Sequence, residues 1–150
     1  MYNDFKIESV DIITGLVKVE FNSFKDHRGL LFTTYLKEKF NTLFPELDFD
    51  HDKFATNNSK GTLRGIHGDD KSWKLVSILS GSAYQIVVDN REESSTFGNV
   101  HECVLSADNP TALLLPPGCG NGFQTLEDNT LYHYKLAYTG QYNDADNQFT

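Results

Sequence analysis

The chain has 150 residues, a mass of 17.0 kDa and a formal net charge of −8. This length supports one sizeable hydrophobic core, so we expect a single domain over residues 1–150. With 13 Lys and Arg against 21 Asp and Glu, the composition excludes a broad basic surface of the kind that binds nucleic acid. An anionic ligand would have to be small and held locally.

Apolar runs in this sequence are short, and the longest are far below the roughly 20 residues that a membrane-spanning helix needs. The first residues, Met-Tyr-Asn-Asp-Phe-Lys, lack the pattern of a signal peptide. We therefore expect a soluble cytoplasmic protein without a membrane partner. The cysteines, Cys103 and Cys119, are in no metal-binding or redox spacing and are interpreted as packing residues, with a catalytic thiol as the alternative.

The first third of the chain predicts a meander of strands followed by one helix. Residues 10–14, 16–21 and 30–36 are rich in β-branched and aromatic residues, and an Asp-His-Arg-Gly turn interrupts them at residues 26–29. Residues 37–44 carry Phe40 and Phe44 at helical spacing and end before Pro45, which favours a short helix.

The rest of the chain predicts strands separated by short turns. Residues 73–79 and 83–89 flank a Ser-Gly-Ser turn and predict a hairpin, with Gln85 on the face opposite Tyr84. Further strands are predicted at residues 100–105, 111–115 and 130–138. Many short strands with regular punctuation are typical of an all-β sandwich, barrel or jelly roll.

One polar segment, residues 61–75, concentrates cationic side chains in an otherwise acidic protein. It reads Gly-Thr-Leu-Arg-Gly-Ile-His-Gly-Asp-Asp-Lys-Ser-Trp-Lys-Leu and contains Arg64, His67, Lys71 and Lys74. Guanidinium, imidazole and ammonium groups in one place can hold a phosphate or stabilise a developing oxyanion. The segment therefore predicts an anionic-ligand site.

Eight motifs in order resemble the dTDP-4-dehydrorhamnose 3,5-epimerase family over nearly the whole chain. They lie at residues 24–29, 61–67, 74–76, 88–91, 95–98, 105–106, 117–123 and 134–135. The resemblance implies a double-stranded β-helix, a cupin-like jelly roll, that forms a homodimer and needs no metal or organic cofactor. It implies an enzyme that inverts C3, C5 or both in a nucleotide-linked 4-keto sugar.

The same resemblance implies roles for five residues. His67 matches the family's catalytic base, Lys74 the cation that stabilises the enolate oxygen, and Tyr134 the acid that returns a proton from the opposite face. Arg28 and Arg64 match the arginines that hold the diphosphate, a task suited to a planar guanidinium. Each has a simpler alternative: a solvated lysine for Lys74, and an exposed turn residue paired with Asp26 for Arg28.

Three stretches resemble more closely a branch of that family in bacterial capsule pathways, which acts on GDP-4-keto-heptoses or their 6-deoxy forms. They are Arg-Gly-Ile-His-Gly-Asp at residues 64–69, Gly-Cys-Gly-Asn at residues 118–121 and the Tyr-rich ending at residues 137–145. From this resemblance we expect a GDP-linked substrate in preference to a dTDP-linked one, and a role in surface-polysaccharide synthesis.

The chain also departs from the family pattern. Gln85 stands where the family has an aspartate and Asn121 where it has a histidine, so two ionisable side chains become amides. We expect Asn121 to take part in catalysis by positioning water or a sugar hydroxyl, and Gln85 to bind substrate. The loop after His67 is short and acidic. The resemblance also implies a C-terminal segment whose aspartate orients the histidine, and we expect either that residues 1–150 lack this segment or that another group takes the orienting role.

Three alternatives share the predicted fold. A metal-dependent cupin would need a ligand cluster that His67, Asp69 and His133 approximate poorly, because His133 points away from the face of Tyr134. A sugar-nucleotide 3,4-ketoisomerase would lack the Lys74 and Tyr134 pattern. A binding module without turnover would keep the arginines without needing His67 and Tyr134 together.

Overall fold

The computed structural model describes residues 5–142 and 148–150, which form thirteen strands and one helix. The elements are β1 Phe5–Ser9, β2 Val17–Phe21, β3 Ser23–Asp26, β4 Gly29–Phe32, α1 Lys37–Leu43, β5 His51–Asn57, β6 Leu63–Asp69, β7 Ser72–Ser80, β8 Ser82–Asp89, β9 Val100–Ser106, β10 Thr111–Leu115, β11 Cys119–Thr125, β12 Thr130–Tyr138 and β13 Gln148–Phe149. The described part of the chain is thus almost entirely β, with a single helix of seven residues.

Two antiparallel sheets pack face to face. One has six strands in the order β1-β2-β10-β7-β12-β5, and the other has five in the order β13-β6-β11-β8-β9. Strands β3 and β4 form a separate two-stranded ribbon. Long-range pairs such as β10 with β2, and β12 with β5, are the crossings of a jelly roll, which confirms the predicted all-β jelly roll with one short helix.

The main core lies between the two sheets. The six-stranded sheet contributes Val76, Ile78, Leu113 and Leu115, and the five-stranded sheet contributes Ala83, Val87, Leu105 and Phe123. These positions alternate along their strands, as expected for one face of a pleated sheet. Burial of this apolar surface is the main term that holds the two sheets together.

A second cluster covers the outer face of the six-stranded sheet. Phe40 of α1 is fully buried and meets Phe5, with ring centroids 4.9 Å apart, and Phe49, at 5.9 Å. Leu75 and Leu114 point into this cluster while their neighbours Val76 and Leu113 point into the main core. The six-stranded sheet is therefore buried on both faces at its centre, which explains why all five residues of β10 are buried.

The predicted hairpin at residues 73–89 is wrong in its pairing. Both strands exist, but β7 pairs with β10 and β12, and β8 pairs with β9 and β11 in the other sheet. Gly81, with φ of +78°, lies at this corner, and a Cβ there would be 2.5 Å from the Thr130 hydroxyl. The Ser-Gly-Ser turn moves the chain from one sheet to the other, which a short glycine corner permits as well as a hairpin does.

Other expectations about elements need correction as well. Residues 10–14 are not a strand, because Ile13 and Leu16 enter the core from a turn closed by the Val10 N–H to Leu16 carbonyl bond of 2.9 Å. The strand expected at residues 30–36 ends at Phe32. The predicted helix at 37–44 is confirmed to within one residue. No helix in the described ranges is long and apolar enough to cross a membrane.

Candidate active site

A cavity of about 300 Å³ opens between the two sheets. Its walls include side chains from five strands, β5, β6, β7, β11 and β12, and one residue that follows β12. They are Lys53, Ala55, Arg64, His67, Asp69, Ser72, Lys74, Val76, Asn121, Phe123, Tyr132, Tyr134, Leu136 and Tyr138, together with Tyr142. Among the described residues that line the cavity, Lys53, Arg64 and Lys74 are cationic and Asp69 is acidic. A cavity with this charge balance suits an anionic ligand, although the chain as a whole is acidic.

A β-bulge brings Arg64 and His67 to the same side of β6. Residues three apart on a regular strand face opposite ways. Here His67 pairs with Asn121 and Arg64 with Phe123, so four residues of β6 oppose three of β11. Gly65, with φ of +101°, lies within this bulge, and a Cβ there would be 2.6 Å from the Asn121 carbonyl oxygen. The close approach of the two strands therefore requires glycine.

His67 projects from the five-stranded sheet into the cavity, beside Asn121 on the neighbouring strand. Partial burial, together with the positive charge of Lys74, lowers the pKa of His67 below its ordinary value. A lowered pKa keeps the imidazole neutral, and therefore able to accept a proton, over most of the physiological range.

Lys74 and Tyr134 project from the facing wall, the six-stranded sheet. Lys74 of β7 pairs with Leu136 of β12, and Tyr134 pairs with Val76, so the two side chains point to the same face. Both are half-buried cavity residues. Burial lowers the pKa of Lys74, while the carboxylate of Asp69 opposes that effect. Tyr132 and Tyr138 share this face, as expected from the alternation of side chains along a strand.

Asn121 and Gln85 are joined through Tyr132, a residue that the sequence did not single out. The Asn121 amide donates to the Tyr132 hydroxyl at 3.3 Å, and that hydroxyl donates to Gln85 Oε1 at 2.8 Å. The other end of Asn121, Oδ1, accepts a 3.5 Å hydrogen bond from the Lys74 ammonium. Gln85 is fully buried behind the cavity wall, so the predicted direct contact of Gln85 with substrate is corrected to a contact with Tyr132.

Arg64 and Arg28, the two predicted diphosphate ligands, lie in different places. Arg64 lines the cavity, and its guanidinium donates to Asn57 Oδ1 at 2.8 Å and to the Thr56 carbonyl at 3.2 Å. Arg28 is outside the cavity on the turn between β3 and β4, where its side chain is 79% exposed and pairs with Asp26 at 2.6 Å. Within this chain the structure brings Arg64, and not Arg28, to the site.

The cavity mouth adds residues that the sequence did not identify. The Lys53 ammonium donates to the Tyr142 hydroxyl at 3.0 Å, and the Tyr142 ring packs edge-on against Tyr138 and His51. The Lys71 ammonium lies 6.0 Å from the centre of the Tyr138 ring. Tyrosine rings with adjacent cations form a surface suited to a planar, anionic group. Residues 143–145, the end of the Tyr-rich motif, lie outside the described residues.

The acidic loop after His67 has a structural role at Asp69. One carboxylate oxygen of Asp69 accepts the backbone N–H groups of Lys71, at 2.9 Å, and of Ser72, at 2.6 Å. This arrangement fixes the tight turn into β7 and therefore the position of Lys74. The shortness of the loop, noted in the sequence, thus serves to bring the lysine close to His67.

Several other candidates lie away from the cavity. Asp89 and Arg91 form an ion pair of 2.8 Å at the end of β8. Cys103 and Cys119 are free, and burial raises the pKa of each thiol to about 11, so both are poor nucleophiles. His133 bonds Asp52 on the outer face of the sheet at 2.5 Å.

Metal ligation finds little support in the part of the chain that the structure describes. It contains no group of three or more His, Cys, Asp or Glu side chains that could hold a metal ion. The geometry therefore gives no support to the metal-dependent cupin alternative.

Comparison with known proteins gives a consistent assignment. Residues 11–149 match the dTDP-4-dehydrorhamnose 3,5-epimerase family. The enzyme of that name from Salmonella typhimurium is 34% identical over 127 residues, covering 82% of this chain and 69% of its own length. This chain thus spans about two thirds of that relative.

Solved structures agree. The dTDP-4-dehydrorhamnose 3,5-epimerase from Bacillus anthracis, with TDP and PPi bound, is 32% identical with a TM-score of 0.85, covering 96% of this chain and 82% of that one. A dTDP-6-deoxy-D-glucose-3,5-epimerase from Legionella pneumophila, in complex with dTDP-4-keto-L-rhamnose, is 28% identical with a TM-score of 0.84, covering 97% and 77%. The chain belongs to the dTDP-4-dehydrorhamnose 3,5-epimerase family and is an epimerase of nucleotide-linked sugars.

Proposed function

We propose that this enzyme inverts C3, C5 or both in a nucleotide-linked 4-keto sugar by moving protons between opposite walls of the cavity. The observation that carries the proposal is the placement of His67 on one sheet and of Lys74 and Tyr134 on the facing sheet. A sugar ring between these walls has a basic group on one face and a phenol on the other. This arrangement allows a carbon next to a ketone to lose a proton from one face and to regain one on the other.

The chemical steps follow from the ketone at C4. It acidifies the hydrogens on C3 and C5, and the neutral imidazole of His67 takes one of them. The negative charge that develops on the C4 oxygen is stabilised by the Lys74 ammonium, which the cavity partly shields from water. The hydroxyl of Tyr134 then donates a proton to the carbanion from the opposite face.

The diphosphate of the substrate is expected to bind at Arg64, whose guanidinium is already oriented by Asn57. Lys53 and the tyrosines of the cavity mouth, which lie beside one another, would contact the nucleoside. Arg28 remains a proposed phosphate ligand on the strength of the sequence resemblance alone. Its pairing with Asp26 is the geometry of an exposed turn.

Two substrates, which differ in nucleotide and in sugar, are candidates for this cavity. The names of the relatives make a dTDP-4-keto-6-deoxyhexose the first substrate to test. A GDP-4-keto-heptose, with a role in surface-polysaccharide synthesis, is the second candidate. It is favoured by the amides at positions 85 and 121, because a changed cavity floor fits a sugar with a different C6 substituent.

The test is solvent deuterium incorporation at C3 and C5, followed by mass spectrometry and proton NMR, with a dTDP-4-keto-6-deoxyhexose and a GDP-4-keto-heptose supplied separately. Deuterium at both carbons supports a 3,5-epimerase, and deuterium at one carbon a single-centre epimerase. The substrate with the higher kcat/KM identifies the nucleotide. Binding of both without any exchange would refute the proposed reaction and favour a binding module.

A matched variant addresses the sugar. Asn121→His restores the side chain that the family has at this position. If Asn121 adapts the cavity to a heptose, this variant should shift the preference toward the dTDP-hexose. An unchanged ratio of kcat/KM between the two substrates would count against that explanation.

A further inference from the structure

Four side chains form one continuous polar chain from the cavity into the core. It begins at the Lys74 ammonium, passes through the Asn121 amide and the Tyr132 hydroxyl, and ends at the Gln85 amide, whose nitrogen donates to the Ile86 carbonyl at 3.3 Å. Tyr132, at 2% exposure, and Gln85, at 0%, are closed off from solvent. Buried amides and hydroxyls need hydrogen-bond partners, and a buried network in which every member has its partner is rigid. We therefore expect these four side chains to keep one set of hydrogen bonds.

The direction of every hydrogen bond in the chain is set by its two ends. An ammonium can only donate and a backbone carbonyl can only accept. Donors therefore point from Lys74 toward Ile86, and each group turns its oxygen toward Lys74. The Asn121 carbonyl oxygen consequently faces the ammonium, and the aligned dipoles of the chain favour the charged form of the lysine.

We infer that Tyr132 is a positioning residue of the active site, because its hydroxyl fixes the Asn121 amide so that the carbonyl oxygen holds the Lys74 ammonium in place. Tyr132 need not touch the substrate to do this. Its consequence for catalysis rests on the proposed function, in which the charged lysine stabilises the enolate oxygen. Its consequence for the lysine itself does not, since the hydrogen bonds exist without a substrate.

The ring and the hydroxyl of Tyr132 have separable roles. The ring stacks on Phe123, with centroids 4.0 Å apart and planes 7° from parallel, and belongs to the main core. Burial raises the pKa of the hydroxyl well above its ordinary value, so it stays protonated and remains a donor. Tyr132→Phe thus keeps the stacked ring and removes only the link between Gln85 and Asn121.

Other charged groups surround Lys74 and set the background for any titration. From β6, Asp69 favours the charged form, while His67 lies close enough for Lys74 to lower its pKa. From β5, Lys53 disfavours the charged form, and from β11 the Cys119 thiol would favour it only when ionised, which its raised pKa of about 11 opposes. Tyr134, on β12, faces the same cavity. Tyr132→Phe alters none of these groups. A change in the Lys74 pKa in this variant is therefore caused by the loss of the hydrogen bonds of Tyr132.

The first experiment measures the pKa of Lys74 by carbon-13 NMR of the lysine Cε, assigned with Lys74→Arg, in the enzyme without substrate. Tyr132→Phe should lower this pKa by about one unit, because the Asn121 carbonyl oxygen is no longer held against the ammonium and the hydrogen bond that favours the charged form weakens. Tyr35→Phe is the matched control, because the Tyr35 hydroxyl is buried without a partner among the described residues and lies outside the cavity. The control should leave the Lys74 pKa unchanged.

The second experiment measures solvent deuterium exchange into the substrate as a function of pH. Tyr132→Phe should reduce kcat about tenfold, keep KM within about twofold and move the alkaline limb of the profile to lower pH. Gln85→Leu should do the same, and the double variant should be no worse than either single one, since both break one chain.

The outcomes separate the inference from the proposed reaction. A Lys74 pKa that is equal in wild type and Tyr132→Phe would overturn the inference whatever the enzyme does. A lowered pKa in an enzyme that exchanges no deuterium would retain the polar chain and refute the epimerase mechanism. Additive effects of Tyr132→Phe and Gln85→Leu on kcat would overturn the claim that both substitutions act by breaking the same hydrogen-bonded chain.

Discussion

Two buried polar networks start from the same face of β8 and are built in opposite ways. Gln85 begins the neutral chain that leads to Lys74 in the cavity. Four residues along, Asp89 is an ion whose two oxygens accept five hydrogen bonds, from Arg91, Ser94 and Thr96. The neutral network borders groups that must exchange protons, and the ionic one fixes a loop. Within the described residues, Lys74 is thus held by an amide oxygen, whereas Asp89 is held by a guanidinium and two hydroxyls.

The largest expected effect on the catalytic side is the removal of the base. His67→Asn keeps a polar side chain opposite Asn121 but cannot accept a proton at neutral pH. Deuterium exchange should fall by about 10³-fold, within the range usual for general bases. The thermal midpoint should stay close to that of the wild type. Retention of more than about a tenth of the exchange rate would assign the base elsewhere.

The ionic network should respond in stability and not in catalysis. Asp89→Ala leaves the partly buried guanidinium of Arg91 without its carboxylate, and the side chain of Asp89 is fully buried. The free energy of unfolding should fall by about 3 kcal/mol, as for other broken buried pairs. Urea titration measures this loss, and kcat of the folded fraction should be unchanged. A tenfold loss of kcat would show that the two networks are coupled.

The pH dependence of activity tests the environments of His67 and Lys74 in the cavity. His67 must be neutral and its pKa is lowered, so activity should be lost as pH falls through a value below the ordinary 6.5. Lys74 must be charged and its pKa is lowered, so activity should be lost as pH rises through a value below the ordinary 10.5. The profile of kcat/KM should therefore be a bell with both limbs displaced downward. An acid limb above 6.5 would contradict the described environment of His67.

Considerably more of the fold than of the site was accessible from the sequence. Strands with clear periodicity, such as β12, and the helix around Phe40 were predicted. The sequence does not predict strand β6, because its bulge and its glycines break the alternation of polar and apolar residues. Strand β11 is likewise not predicted, because its two glycines interrupt any alternation of polar and apolar residues.

Within the site, motif matching identified His67, Arg64, Lys74 and Tyr134, which the structure brings to one cavity. Tyr132 was missed because a tyrosine on an inward face predicts core packing equally well. The link from Gln85 to Asn121 depends on a third strand, and pairings across a sheet are not visible in local sequence. The sequence does not place Arg28, because a turn arginine two residues from Asp26 is compatible with an exposed ion pair and with phosphate binding.

The smallest expected effect concerns the thiols. Burial raises the pKa of both Cys103 and Cys119, so neither is ionised at neutral pH. Cys103→Ala should change kcat/KM by less than about twofold, in keeping with other changes remote from the reacting atoms. In the folded wild type, both thiols should react with a thiol reagent far more slowly than in urea. Rapid loss of activity on thiol modification would revive the catalytic-thiol alternative.

The central claim, that the proton leaves from one face and returns from the other, is tested most directly by Tyr134→Phe in deuterated water. With His67 intact and the opposite acid removed, the account predicts that deuterium still enters the substrate while inversion is lost, because the imidazole can return a deuteron only to the face from which it took the proton. Inversion at the wild-type rate in this variant, or equal loss of exchange and inversion, would contradict the account.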